Sequence, residues 1–226
     1  MSDTTAATRP LPPGVQEAEL DDALAAFAEA IGADKVATDA DSLQDFQDPF
    51  QVPGDATNLP SAVVSPTSVD DVQAVVRIAN QFRIPLWPIS RGKNNGYGGA
   101  APQVRGSVML SFRNMNKVLE IDSDSGLARI QTGALGPDLE EQLNAKGWTI
   151  GHFPDSFTHS TLGGWIATRS SGMQSDKYGD ISHIVRGVRV VRPGGVLVIP
   201  AIPSASTGPS VREMIVGSEG RLGDNT

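Results

Sequence analysis

Two stretches of this chain carry side chains and glycines in spacings that could do chemistry. The first is Ser90-Arg91-Gly92-Lys93-Asn94-Asn95-Gly96-Tyr97-Gly98-Gly99-Ala100-Ala101-Pro102. Its glycines free the backbone to turn and let N–H groups face an anion with no Cβ in the way. Ser90 offers a hydroxyl, and Arg91 and Lys93 offer positive charge. Such a loop suits the holding of a phosphate. It is not a Walker A loop, because no glycine stands five residues before Gly92-Lys93. Gly96-Tyr97-Gly98-Gly99-Ala100-Ala101 matches G-x-G-x-x-A in form. A Rossmann turn, however, opens a helix directly after a strand, and here Pro102 and a new strand follow. The alternative is an ordinary glycine-rich surface loop.

The second stretch is Pro154-Asp155-Ser156-Phe157-Thr158-His159-Ser160-Thr161-Leu162-Gly163-Gly164-Trp165. Ser160-Thr161-Leu162-Gly163-Gly164 could lead into a helix whose N-terminus faces an anion. Further runs follow: Thr168-Arg169-Ser170-Ser171-Gly172-Met173, then Tyr178-Gly179-Asp180. Nearer the end stand Ser206-Thr207-Gly208-Pro209 and Gly217-Ser218-Glu219-Gly220-Arg221-Leu222-Gly223. Taken singly, each hydroxyl run reads as a cap or a turn; their succession favours a cofactor. Other chemistries fare worse. His152, His159 and His183 show no repeated metal-ligand spacing, and Pro154 keeps the first two off a common helix face, so no metal site is expected. Asp155, Ser156 and His159 are too close in sequence to converge as a hydrolase triad, and no G-x-S-x-G elbow is present. His159 reads as a turn histidine, and Trp87, Trp148 and Trp165 as core or sheet-packing residues.

Composition narrows the partners. The 226 residues carry 18 Lys+Arg against 26 Asp+Glu, a net charge of −8, which opposes binding to a nucleic-acid backbone. With no cysteine, disulfides, thiolate metal sites and cysteine nucleophiles drop out. No apolar run approaches the roughly 20 residues of a membrane span. The N-terminus lacks the basic flank and apolar core of a secretory signal. A cytoplasmic protein acting on a small molecule, with no membrane or nucleic-acid partner, is the expectation. The sequence leaves homo-oligomer formation open.

The elements that must position these stretches are legible in part. Leu20, Leu24, Phe27 and Ile31 form the stripe of an amphipathic helix over Glu17 to Ile31, and Gly32 sits where a left-handed cap would fall. Residues 1–15 read as a disordered tail and 16–58 as this helix plus an acidic, irregular linker. Residues 59–105 read as a βαβ unit with the glycine loop. In it, Ala62-Val63-Val64 is a strand, Ser68 caps a helix bearing Val72, Val75, Val76 and Ala79, and Ile84 to Ile89 is an edge or short strand because of Pro85 and Pro88. Residues 106–226 form a second unit. Strands are expected at Ser107–Ser111, Lys117–Asp122 and Leu127–Thr132, a helix from Pro137 to Lys146, and a hairpin of Ile184–Val191 with Val196–Ile199. The fold class is α+β, in two α/β subdomains divided near residue 105.

At this point the residues carry a resemblance. Leu59 to Val64 together with the run from Arg91 to Pro102 resembles the flavin-binding domain of the vanillyl-alcohol oxidase/p-cresol methylhydroxylase superfamily, in its phenol-oxidising branch. The runs from Pro154 onward resemble another branch, the alkylglycerone-phosphate synthases and related FAD-linked oxidases. The resemblance implies non-covalent FAD, since residues 90–102 hold no histidine for covalent attachment. It implies cofactor contacts from Ser90, Arg91, Gly92, Lys93, Asn94, Asn95, Gly96, Gly98 and Gly99. A second set would be Pro154, Asp155, Ser156, Ser160, Thr161, Gly163, Gly164, Thr168, Ser170, Ser171, Glu219, Gly220 and Leu222. Tyr97 would be catalytic, holding a substrate phenolate so that hydride leaves the para side-chain carbon for the flavin. The resemblance further implies a substrate cap domain that this chain lacks, and an apolar strand after Gly223, where Asp224-Asn225-Thr226 stand instead. A synthase-like or hydroxy-acid-oxidising flavoprotein, and a flavin-binding module without turnover, are the alternatives.

Overall fold

The computed structural model describes residues 9–46, 52, 58–90 and 101–226. Helix α1 (Glu17–Ile31) buries Leu20, Ala23, Leu24, Phe27 and Ile31, the stripe read from the periodicity. Its first turn is closed by the Gln16 N–H, which donates to the Glu19 carboxylate at 2.8 Å. Gly32 takes φ +103° with ψ 137°, so it turns the chain into extended backbone instead of adding a left-handed cap. Strand β1 (Val36–Ala37) and helix α2 (Ala40–Gln44) follow, the latter capped by Asp39, which accepts the Ser42 N–H at 2.8 Å. Both fall where an irregular segment is expected, and both are too short to show a period. Residues 9–15 also depart from the disordered-tail expectation. Pro12 is buried, Leu11 and Val15 lean on the core, and Gly106 lies so close that a Cβ there would meet the Leu11 carbonyl carbon at 2.2 Å.

Strand β2 (Ala62–Val64), helix α3 (Val69–Phe82), strand β3 (Leu86–Ile89) and strand β4 (Val108–Ser111) complete the first sheet, of order β1-β2-β4-β3. β4 is parallel to both its neighbours, while β1 is antiparallel to β2. Ser68 caps α3 as expected, its hydroxyl accepting the Asp71 N–H at 3.1 Å. Alternation sorts the strand residues onto two faces. Ala62, Val64, Val108 and Leu110 pack with α1 and α3, and Val63 and Met109 pack with Phe46, Trp87 and Ile89. The prolines of β3 sit on an edge strand, where a missing N–H does least harm. A division near residue 105 would cut this sheet, because β4 lies beyond it and pairs between β2 and β3. Four consecutive apolar-rich residues do not reveal which sheet they join.

Beyond it, β5 (Val118–Asp122) and β6 (Leu127–Ile130) form a hairpin whose turn is held by Asp122, which accepts the Asp124 N–H at 3.0 Å. Helix α4 (Gly136–Asn144) has Pro137 in its first turn. Three short helices follow, α5 (Leu162–Thr168), α6 (Ser175–Tyr178) and α7 (Ile181–Ile184). Strands β7 (Val188–Arg192) and β8 (Gly195–Ile199) make the predicted hairpin, with Ile184 in α7 because Asp180 caps a helical turn there. Helix α8 (Val211–Ile215) and strand β9 (Asp224–Asn225) end the chain, β9 pairing antiparallel with β7. A strand therefore starts where polar residues argued against one. Burial pushes the Asp224 carboxyl up to about 7.

A second core gathers Ala134, Leu139, Leu143, Leu162, Trp165, Ile166, Ile181, Val185 and Val216. Trp165 is buried in it and Trp87 is half-buried, but Trp148 is 38% exposed, against the expectation of a packing residue. Val191 of β7 reaches back into the first core. The two cores are also tied at Gly133, whose N–H donates to the Met115 carbonyl at 2.8 Å. A Cβ on Gly133 would lie 1.9 Å from the Phe112 carbonyl oxygen, so backbone must move to admit one. Gly133→Ala is expected to lower the unfolding free energy by about 2 kcal/mol or more. Gly194→Ala, which meets nothing within 4 Å, should change it by less than about 0.5 kcal/mol. Urea unfolding midpoints of the two variants measure the difference.

Candidate functional site

The end of β3 delivers Ser90 to the start of α5. Thr161 is the cap of that helix, its hydroxyl accepting the Gly164 N–H at 3.3 Å. The same hydroxyl shares a hydrogen bond with the Ser90 hydroxyl. Backbone bonds hold the helix start in place. The Leu162 N–H donates to Ala134 at 3.1 Å, and the Gly163 N–H to Thr132 at 2.8 Å. The first amides of α5 are thus already bonded within the protein, so an anion at this end would be met by the Ser90 and Thr161 hydroxyls instead of by free helix amides. Gly163 is accounted for by packing, since a Cβ would stand 2.8 Å from the Thr132 Cβ.

Gly164 faces the hydroxyl pair. A Cβ on it would lie 3.4 Å from Thr161 Oγ1 and 3.6 Å from Ser90 Oγ. The Gly217–Gly223 turn closes on the same region. Gly217 and Glu219 donate their N–H groups to the Ile166 and Ala167 carbonyls at 2.9 and 3.0 Å. Glu219 adopts a left-handed φ of 50°, and a Cβ on Gly220 would stand 3.6 Å from Pro88 Cγ of β3. Ser90, Thr161, Gly164, Glu219 and Gly220 are therefore brought around one junction of β3, α5 and a glycine turn. Leu222 is exposed beside it in sequence.

The remaining predicted residues lie along the flanking chain. The Pro154 carbonyl accepts the Phe157 N–H at 2.8 Å, and Asp155 is exposed. Ser156 and Ser160 bond each other at 3.1 Å, and the Trp165 indole N–H donates to Ser160 Oγ at 2.6 Å. Thr168 donates to the Gly164 carbonyl, one helical turn back, at 2.9 Å. Ser170 and Ser171 are engaged elsewhere. Ser170 bonds His152, and the Ser171 hydroxyl, with Ser175, His183 and His152, holds the Asp180 carboxyl below the usual carboxylate range. Arg91, Gly92, Lys93, Asn94, Asn95, Gly96, Tyr97, Gly98 and Gly99 lie outside the described residues.

His152 is a residue that sequence reasoning left unassigned. Its ring is buried, Nε2 lies 2.9 Å from Ser170 Oγ, and it packs edge-on against Trp165 with centroids 5.0 Å apart. Nδ1 is buried with no protein partner. A single histidine between Gly151 and Phe153 carries no periodic signal that would mark it. Among the described residues, no group of three His, Asp or Glu side chains could hold a metal ion. No described helix is long and apolar enough to cross a membrane.

Hydroxyls at a strand–helix junction, beside glycines whose missing Cβ atoms leave room, suit a phosphate-bearing dinucleotide, and the fold is that of a mixed α/β cofactor-binding domain. A family model described as an FAD binding domain matches residues 60–199, and the chain belongs to that family; FAD is its cofactor. An alkyldihydroxyacetonephosphate synthase of Dictyostelium discoideum is 42% identical over 173 residues, covering 75% of this chain and 28% of that protein. The flavoprotein subunit of 4-cresol dehydrogenase (hydroxylating) of Pseudomonas putida is 40% identical over 186 residues, 82% of this chain and 35% of that one. Among solved structures, an alkyldihydroxyacetonephosphate synthase superposes with a TM-score of 0.83 at 34% identity, covering 95% of this chain and 40% of that chain. A 4-ethylphenol oxidase from Gulosibacter chungangensis gives 0.79 at 28%, covering 96% and 43%. The chain thus spans about a third of the curated relatives it matches.

Burial holds the His152 imidazole below its ordinary 6.5, with Asp180 pulling weakly the other way. The unfolded chain therefore binds this proton more readily than the fold does. The ring's stabilising contribution is in place above about pH 6.5 and is lost as pH falls below that value. Denaturation of wild type and His152→Gln between pH 8 and pH 5 measures this. The wild type is expected to lose stability more steeply below pH 6.5; parallel curves would show that the ring protonates as freely folded as unfolded.

Proposed function

We propose that this chain is the cofactor-holding part of a flavin-dependent oxidoreductase acting on a small organic substrate. The observation that carries the reading is the meeting of Ser90, Thr161, Gly164 and Gly220 at one junction, at the point where the chain enters the glycine-rich run. When bound, FAD supplies the two-electron chemistry, and the protein supplies binding and orientation. In this reading Ser90 and Thr161 hold the phosphate-bearing portion through their hydroxyls. Gly164 and Gly220 keep space beside them, and Arg91 and Lys93 contribute the countercharge. His152 is buried edge-on against Trp165.

For the substrate, Tyr97 supports a 4-alkylphenol or phenolic alcohol. Its hydroxyl would donate to, and so hold, the phenolate oxygen. The 40% identity to a 4-cresol dehydrogenase subunit is in keeping with that choice. The 42% identity to an alkyldihydroxyacetonephosphate synthase favours a second reading, in which the same cradle serves a synthase-like flavoprotein.

The test is an absorbance spectrum of the chain after addition of FAD and removal of the excess. Retained bands at about 370 and 450 nm, roughly one FAD per chain and released by acid, are expected. Thr161→Val should weaken retention about tenfold, the worth of one lost hydrogen bond of about 1.4 kcal/mol. A folded, colourless protein would sink the reading. Turnover of 4-alkylphenols lost in Tyr97→Phe separates the phenolic reading from the synthase-like one.

A further inference from the structure

The Trp165 indole is buried in the second core, yet its one polar atom is turned toward the candidate site. Trp165 stands one helical turn after the cap, where the Thr161 carbonyl accepts its backbone N–H at 2.9 Å. Side chains on a helix lean toward its N-terminus. The ring therefore reaches back past the cap, and its Nε1–H donates to Ser160 Oγ at 2.6 Å. Ser160 Oγ in turn donates to the Ser156 carbonyl at 2.8 Å and accepts the Ser156 hydroxyl at 3.1 Å. A serine hydroxyl has one proton to give and two lone pairs to offer. All three are spent inside the protein, so Ser160 has nothing left for a phosphate or a flavin oxygen.

The turn that Ser160 closes is held from other sides as well. The Phe157 ring lies over the indole, 14° from parallel with centroids 6.2 Å apart. Gly136, at the start of α4, fits against the other side of Phe157, where a Cβ would stand 2.5 Å from the ring. The Gly136 N–H donates to the Ser160 carbonyl at 3.2 Å, and the His159 N–H to the Ser156 carbonyl at 2.8 Å. Beyond Ser160 comes Thr161, whose hydroxyl meets Ser90. The turn thus connects Asp155 and Ser156 to the hydroxyl pair at the junction.

We propose that Trp165 is a positioning residue of the cofactor cradle, which through its indole N–H and Ser160 fixes the 156–160 turn, and with it the placing of Ser156 relative to the Ser90–Thr161 pair. Ser160 is then a support for the cradle and not a contact to the cofactor. The inference rests on reading the junction as the FAD site, and it assigns roles that the reading leaves open. A plain apolar ring would fill most of the same space in the core. What it would lack is the proton, and a buried indole N–H must find a partner. Here the partner is the hydroxyl next to the cap, so the packing of the core is coupled to the loop above it.

The test uses the full chain and two readouts: the rate at which bound FAD leaves, and hydrogen exchange of the Phe157 and His159 amides without FAD. Trp165→Phe keeps an aromatic ring and removes the donor, and Ser160→Ala removes the acceptor. Each is expected to speed both processes about tenfold, the worth of one lost hydrogen bond. The double variant is expected to go no further than Ser160→Ala alone. Leu143→Ala, which empties space in the same core and leaves the bonds of the turn in place, is expected to change neither readout. If Leu143→Ala acts like Trp165→Phe, the indole only packs and the proposal is overturned. Unchanged exchange in both Trp165→Phe and Ser160→Ala also overturns it. Should Trp165→Phe fail to fold, Ser160→Ala decides alone by the same two readouts. A wild-type chain that retains no FAD defeats the reading of the site, and this inference with it. Faster exchange with FAD held as tightly as in the wild type leaves that reading standing and overturns this inference.

Discussion

β4 is the strand on which the rest of the first half depends. It has a parallel neighbour on each edge and apolar packing on each face, so its four residues are buried throughout. Parallel strands of this kind require both faces covered. Here Val108 and Leu110 meet the α1 and α3 layer, while Met109 faces Phe46 and Trp87. Because β4 separates β2 from β3, neither of those strands can pair with the other if it is displaced. Phe112 and Met115, just past its end, offer the carbonyls against which Gly133 is pressed. The central strand therefore also sets where the second core begins.

The candidate site inherits its geometry from this arrangement. β3 is registered against β4, and that register places Ser90 opposite Thr161. On the other side, Thr132 and Ala134 hold the start of α5 through their carbonyls. The far end of α5 is anchored by charge: Arg169, in a left-handed conformation, donates to Glu213 at 2.7 Å, and Arg212 joins the same carboxylate at 2.9 Å. That pairing keeps the Glu213 carboxyl below its usual range. The ion pairs are largely exposed, so their worth is in positioning α8 and the glycine turn more than in stability.

Much of this was legible in the residues and some was not, for reasons that differ by element. α1 and α3 announce themselves through a helical period and a serine cap, signals that lie within one turn or two. β3 declares itself an edge through Pro85 and Pro88. The partner of β4 is invisible locally, because a short apolar strand says nothing about which sheet receives it. The same holds for the Ser90–Thr161 contact, which joins residues 71 apart. Thr161 could be read as a helix cap, but its second bond exists only because of the tertiary arrangement. α2 and α7 are single turns whose caps, Asp39 and Asp180, are evident only once the helix is known. Gly163 shows the converse. It reads as space for a ligand, and a Cβ there would meet the Thr132 Cβ at 2.8 Å and the Thr132 carbonyl oxygen at 2.9 Å.

The placement of β4 between β2 and β3 also bears on the order in which a ribosome would deliver this fold. When β3 has emerged, its partner has not, and the helices α1 and α3 can meet only over a sheet that still lacks its middle. The first layer closes after Ser111 leaves the exit tunnel, and Val191 of β7 enters that core only some eighty residues later, several seconds at typical synthesis rates of about 5–20 residues per second. During that interval the nascent chain presents Val72, Val75 and Leu110 beside an unfilled position. A chaperone that recognises short apolar segments would have its longest opportunity there.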